Sequence, residues 1–148
     1  MNEKYNRKPI HVSEGSCFFD GKLIFDAIKF KVISTPKVMT SVSIGDKTPN
    51  SRWGNTFEYK VEITRRRTTK WAKEVLKKYK KDGITPEFTL SGVQEDKDSD
   101  YYADNGAETV TAVGCVLTSD INLIDLDANG EWLEDVLTFN AKDVKFSN

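Results

Sequence analysis

The side chains in this 148-residue chain with the most evident chemical potential are acidic, and they come in runs. Asp125, Asp127 and Asn129 alternate ahead of Gly130, which is the pattern of the first half of a calcium-binding loop. Such a loop ends on a bidentate Glu, and that position is Val136 here, with strand-like flanks. The run therefore reads as an Asn-Gly hairpin turn. Asp96, Asp98 and Asp100 also alternate, but Tyr101 stands where the bend needs Gly, so that run reads as a solvated acidic loop. Cys17 and Cys115 lie far apart between apolar residues and fit no metal spacing, so they read as buried, reduced thiols. The single histidine, His11, sits in a polar N-terminal arm, and no Ser or Cys has a base partner in view. Without a phosphate-binding glycine loop or dinucleotide fingerprint, the expectation is no catalytic residue, no cofactor, no metal and no enzymatic activity.

Basic residues cluster as well. Arg65 to Lys81 holds nine Lys or Arg against Glu74 alone. A nucleic-acid surface would interleave side chains able to stack on or read bases. Trp71 and Tyr79 instead fall on an apolar stripe, so the run reads as a solvated face that meets an acidic protein partner. Residues 94–135 carry the opposite charge, twelve acidic side chains and only Lys97. The formal net charge of −1 thus conceals a molecule split by sign, which suits head-to-tail association between copies. The chain is 38% apolar, with eight Phe, five Tyr and three Trp, and its length suits one domain over 1–148. No segment approaches the ~20 apolar residues of a membrane span, so a soluble protein made in the cytoplasm is expected.

The elements that must position these residues follow from periodicity. Residues 1–13 read as a flexible arm. Ser16–Phe19 is a short strand ending in an Asp20-Gly21 turn. In 23–33, Ile24, Ile28, Phe30 and Val32 share a face, with Lys29 and Lys31 on the other and Asp26 interrupting the apolar side. Pro36 opens a further strand with Val38, Val42 and Ile44 on one face, so 23–44 reads as a hairpin with a greasy side that seals the core. A long turn-rich loop is expected at 45–55. Phe57, Tyr59, Val61 and Ile63 alternate cleanly with Glu58, Lys60 and Glu62. A helix is expected over 69–82, capped by Thr68 or Thr69 and ended by Gly83, with Trp71, Ala72, Val75, Leu76 and Tyr79 as its buried stripe. Strands at 86–93, 109–118, 121–127 and 132–141 complete the pattern. The fold class is mainly β, with about seven or eight strands in two packed antiparallel sheets, as a β-sandwich or small barrel, and one helix packed on them.

Gly15-x-x-Phe18-x-Asp20-Gly21, then Ile28-x-Phe30-x-Val32, then Val42-x-Ile44-Gly45 resembles the start of the tail tube proteins of PBSX-type defective prophages, contractile phages and phage-tail-like bacteriocins. The resemblance continues through a long loop, the aromatic strand at 57–63, one helix and Pro86-x-Phe88-x-Leu90, to the strand around 133–141. It implies a structural protein forming hexameric rings, joined through a continuous β-barrel and stacked into the inner tube of a contractile tail or bacteriocin particle. The implied partners are copies of itself, a sheath protein, baseplate and tape-measure proteins. DNA would pass the lumen without specific binding. The implied location is the bacterial cytoplasm during assembly and then the particle.

Specific surfaces follow as expectations. The loop Gly45, Asp46, Lys47, Thr48, Pro49, Asn50, Ser51, Arg52, Trp53, Gly54 and Asn55 would contact the next ring, since Trp and Arg are enriched at interface hot spots. Lys29, Lys31, Ser41 and Ser43 would face the lumen. Lys70, Lys73, Lys77 and Lys81 would face a sheath. The alternatives are a tube or baseplate subunit of a type VI-like secretion apparatus, or a small ligand- or calcium-binding β-sandwich.

Overall fold

Alternation along 57–63 gives one chain face to Tyr59, Val61 and Ile63, and that is the face the fold buries. The computed structural model describes residues 8–45 and 47–147. Its elements are β1 (Gly15–Phe19), β2 (Lys22–Leu23), β3 (Ala27–Ser41), β4 (Asn50–Arg66), α1 (Trp71–Asp82), β5 (Phe88–Gln94), α2 (Asp100–Asn105), β6 (Glu108–Leu117), β7 (Glu134–Ala141) and β8 (Asp143–Ser147). The chain is mainly β, with eight antiparallel strands among the described residues.

The strands form one hydrogen-bonded sheet in the order β2-β1-β5-β6-β7-β4-β3, with β8 also paired to β6. β6 joins what the sequence suggested as two layers. Its first part pairs with β5 and β8, and its last residues, Val116 and Leu117, pair with β7. The handover from β8 to β7 along one side of β6 falls between Val113 and Val116, around Gly114, whose φ is 64°. A Cβ there would come within 2.9 Å of the Lys142 side chain, so a larger residue would meet both steric and backbone strain.

The core is built on Val61, Ile63, Leu90, Ala112, Cys115, Leu137 and Phe139, all buried. Four rings cross over it. Phe19, Trp71, Phe88 and Phe139 touch one another with centroids 4.8–6.4 Å apart, in edge-on and tilted arrangements. Aromatic pairs of this geometry add about 0.5–1.5 kcal/mol each beyond their burial. Trp71, the first residue of α1, is how the helix grips the sheet. Cys17 and Cys115 are buried free thiols, and burial pushes Cys115 up to about 11, so it stays protonated.

Several expectations shift. Pro36 does not open a new strand, because β3 runs through it for fifteen residues, and β4 continues for seventeen. A sheet-edge position tolerates the missing N–H. The connection is therefore 42–49, and residues 50–55 belong to β4. Asp46 lies outside the described residues. Val38, Val42 and Ile44 are exposed rather than sealing the core, since the strand pair outruns the rest of the sheet. Ile28 is also exposed, next to a register shift between Ala27 and Lys29. Helix α1 starts at Trp71 with no side-chain cap, because the cap position falls to Lys70, which has no acceptor, and not to Thr68 or Thr69; the Thr68 hydroxyl bonds Asp26. Gly83 ends it in the left-handed conformation, its N–H bonded to the Tyr79 carbonyl at 2.7 Å. Tyr79 is 46% exposed, so the stripe fades along the helix. Residues 121–127 form no strand. Asp127 closes a turn, accepting from Asn129 N–H on Oδ1 and from Gly130 N–H on its carbonyl.

The run at 96–100 is more than a solvated loop. Ser99 accepts the Tyr102 N–H and starts α2, with Ser99 and Asp100 both buried. Asp100 accepts the Lys8 N–H, and Asp96 accepts the His11 N–H at 2.9 Å. Residues 1–7 of the expected arm lie outside the described residues.

Candidate assembly surfaces

Register converts the alternation of β3, β4 and β7 into two faces. Phe30 stands opposite Ile63, and Val32 opposite Val61 and through it Phe139, which is the core side. On the other side Lys29, Lys31, Ile33 and Thr35 stand opposite Thr64, Glu62, Lys60 and Glu58. Val136, Thr138 and Asn140 of β7 extend that side past β4. A shallow groove runs over it, lined by Ile33, Glu58, Lys60, Glu62, Thr138 and Asn140 among others. Opposite charges directly across strands, as at Lys31 and Glu62, are mutually favourable and keep the face wet. Of the four expected lumen residues, Lys29 and Lys31 lie here. Ser41 instead occupies the last rung, opposite Asn50, and Ser43 lies in the connection. Glu58, Lys60 and Glu62 join the face, although nothing in the local pattern singled them out. Their alternation was visible, but only pairing with β3 shows which residues share their side.

β3 is the edge of the sheet, and its outer side carries no strand among the described residues. An unpaired edge of this length is a template for a strand from another chain.

Beyond the core the β3–β4 pair becomes an arm. Pro36 pairs with Phe57, and the next rung joins Val38 to Trp53, so residues 54–56 stand opposite Lys37 alone. Past that joint, residues 37–45 and 47–53 are all exposed. Val38, Met39, Val42, Ile44 and Trp53 lie in this stretch, an apolar group that its own chain covers only in part. Lys47, Thr48, Pro49, Asn50, Ser51 and Arg52 form its tip, while Gly54 and Asn55 lie in the joint.

At the other end of the same strands, ion pairs fix the chain. Arg65 approaches Asp26 at 2.9 Å and 3.0 Å, and the Thr68 hydroxyl donates to the same carboxylate at 2.6 Å. The strand expected at 23–33 is broken here, and Asp26, which interrupts the apolar pattern, lies in the bend between β2 and β3 to meet Arg65. Burial opposes ionisation of Asp26, but the Arg65 and Thr68 hydrogen bonds outweigh it and hold the carboxyl below its ordinary range. Arg67 makes a two-point contact with Asp135, 2.6 Å and 3.1 Å, and donates to the carbonyls of Leu123 and Asn122. The Asp135 hydrogen bonds raise the Arg67 pKa further. Two members of the basic run are thus engaged within the chain. Lys70, at the cap position just before α1, and Lys73, Lys77 and Lys81 on it are exposed. Among the described residues no His, Cys, Asp or Glu cluster could hold a metal, and no helix is long and apolar enough to cross a membrane.

These features place an unpaired edge, a wet charged face and an apolar arm on one chain. That arrangement suits association. A family model described as "Phage tail tube protein" matches residues 4–148. No curated protein matches by sequence. Among solved structures, the chain is similar to one in the sheath-tube complex of PVC, an extracellular contractile injection system, in the extended state. That match has a TM-score of 0.63 at 10% identity, covering 94% of this chain and 91% of the other. It is similar to one in the PVC sheath/tube terminator, TM-score 0.66 at 11% identity, covering 95% and 97%. It is also similar to one in the tube-terminating cap of the anti-feeding prophage, TM-score 0.68 at 10% identity, covering 99% and 95%. At these identities the likeness is one of fold.

Proposed function

Because the chain belongs to the phage tail tube protein family, a structural component of a tail, we propose that it self-assembles into hexameric rings that stack into the inner tube of a contractile particle. The observation that carries this reading is the fifteen-residue edge strand β3, flanked by a charged, wet face. Closing the sheet across copies would pair that edge and remove its tendency to aggregate. The wet face bearing Lys29, Lys31, Glu58, Lys60 and Glu62 would then line a water-filled channel, with the core of each subunit on the outside. Mixed charge on such a wall gives passing DNA no strong electrostatic foothold, because phosphate binding grows with unopposed cationic contacts.

The exposed lysines of α1 would meet a sheath, and the ends of the tube would meet baseplate and terminating proteins. Assembly in the bacterial cytoplasm followed by incorporation into the particle fits this role. The protein acts by association and carries out no catalysis.

A second reading is a ring that does not propagate, as in a terminator, cap or baseplate subunit, and solved structures of those kinds share the fold. Negative-stain microscopy of the purified chain at high concentration separates the readings. Long tubes with an open lumen support the first. Isolated rings alone support the second, and monomers at every concentration refute both.

A further inference from the structure

The two ends of the β3–β4 pair differ in charge but share exposed apolar residues. The arm carries Lys37, Lys47 and Arg52, and its one acidic residue in the sequence is Asp46. The opposite, or base, end is capped by residues 119–133, between β6 and β7. Asp120, Asp125, Asp127 and Glu131 are exposed there, Glu134 follows at the start of β7, and 119–135 has no basic residue. Ile124, Leu126 and Trp132 are exposed among them.

The register fixes the ends. Arg66 stands opposite Glu134, and Arg67 binds the carbonyls of Asn122 and Leu123, so the acidic segment is anchored where β4 finishes. The arm leaves from the other end of the same strand. A fifteen-residue strand spans about 50 Å. One elongated subunit therefore presents a basic, apolar tip and an acidic, apolar base on opposite sides.

We propose that the basic arm tip of one copy seats on the acidic base segment 119–133 of the next copy along the tube. This rests on the tube reading and names the surface that receives the arm. Two such patches cannot pair with themselves, because tip on tip would bring cation to cation. They are complementary only head to tail, and a heterologous contact of this kind propagates without closing. Apolar residues at both ends supply the contact, while charge sets polarity and rejects the inverted stacking.

Reciprocal charge reversal tests it. Lys47→Glu with Arg52→Glu in the tip, and separately Asp120→Lys with Glu131→Lys in the base, change exposed residues. Each pair is expected to raise the protein concentration needed for tubes, read by sedimentation and microscopy, about tenfold or more. Thermal melting should stay near that of the unmodified chain. Mixing the two variant proteins should restore tubes, because the acidic tip of one fits the basic base of the other and the reverse contact is also complementary, and all four changes in one chain should restore them too. If either reversed pair polymerises as the unmodified chain does, or the fourfold variant fails while melting normally, the docking assignment is overturned and the tube reading survives. If one pair unfolds the subunit, the other pair alone still decides, since its polymerising as the unmodified chain does overturns the assignment. Absence of any tube from the unmodified chain overturns both.

Discussion

Trp53 rests edge-on against Phe57, with 5.4 Å between centroids and 90° between ring planes, across the joint where the arm leaves the body of the sheet. Phe57 in turn stacks on Tyr59 at 6.3 Å, so a line of rings leads from the core-side Tyr59 out to the arm. Trp53 nevertheless remains 67% exposed. It is steadied by its own chain and still presents most of its surface outward, a combination that lowers the entropy lost on binding.

Trp53→Ala should therefore change the melting of the isolated subunit little, within about 1 kcal/mol, since little of the side chain is buried. Ring formation should survive while stacking into tubes is lost. Calorimetry and electron microscopy of the same preparation check this. A destabilised variant that still builds long tubes would assign Trp53 to the subunit rather than to an interface.

Core truncation should separate the aromatic cluster from the middle of α1. Phe139 is fully buried among Phe19, Trp71 and Phe88, so Phe139→Ala should cost about 3–5 kcal/mol. Leu76 on α1 is half-buried, and Leu76→Ala should cost about 1–2 kcal/mol, below the usual core range. Urea unfolding of both variants, below the assembly concentration, measures the contrast. Equal losses would mean that α1 is held as firmly along its length as at Trp71.

Charge on α1 should matter for a partner rather than for folding. Lys73→Glu and Lys77→Glu lie on its exposed side and should leave the melting midpoint within about 0.5 kcal/mol of the unmodified chain. Cosedimentation of preformed tubes with the sheath protein should weaken. Unimpaired sheath binding would move that interface off the helix.

The Asp26–Arg65 pair should make stability acid-sensitive. Burial works against the carboxylate, yet the Arg65 and Thr68 hydrogen bonds hold its pKa below the ordinary value, about 3.9 in an unfolded chain. Its contribution is thus complete above that value and disappears as pH falls through the lower, folded value. Asp26→Asn should cost about 1–3 kcal/mol at neutral pH. The gap from the unmodified chain should narrow below about pH 4. Melting curves from pH 7 to pH 2 test this, and a gap that stays constant would assign the loss to packing rather than to the ionised pair.

Local pattern was enough for much of the fold. The alternation at 57–63, the Asp20-Gly21 turn, the helix itself and its Gly83 terminus each depend on near neighbours in the chain, and each appears where expected, although the helix's buried stripe stops short of Tyr79. So do buried Cys17 and Cys115. The order of those elements was also enough for the resemblance to tail tube proteins, which the family match bears out. Three things needed the tertiary structure. Which face of a strand is wet depends on its cross-strand partners, so Glu58, Lys60 and Glu62 joined Lys29 and Lys31 only through the β3–β4 register. Whether an apolar alternation is covered depends on how far the remaining sheet extends, so Val38, Val42 and Ile44 read as core yet lie on a free arm. The purpose of Asp26, in the bend between β2 and β3, depends on Arg65, thirty-nine positions away, reaching back to pair with it. Periodicity reports which residues share a side of one element. Only the packing of distant segments decides whether that side meets core, water or another subunit.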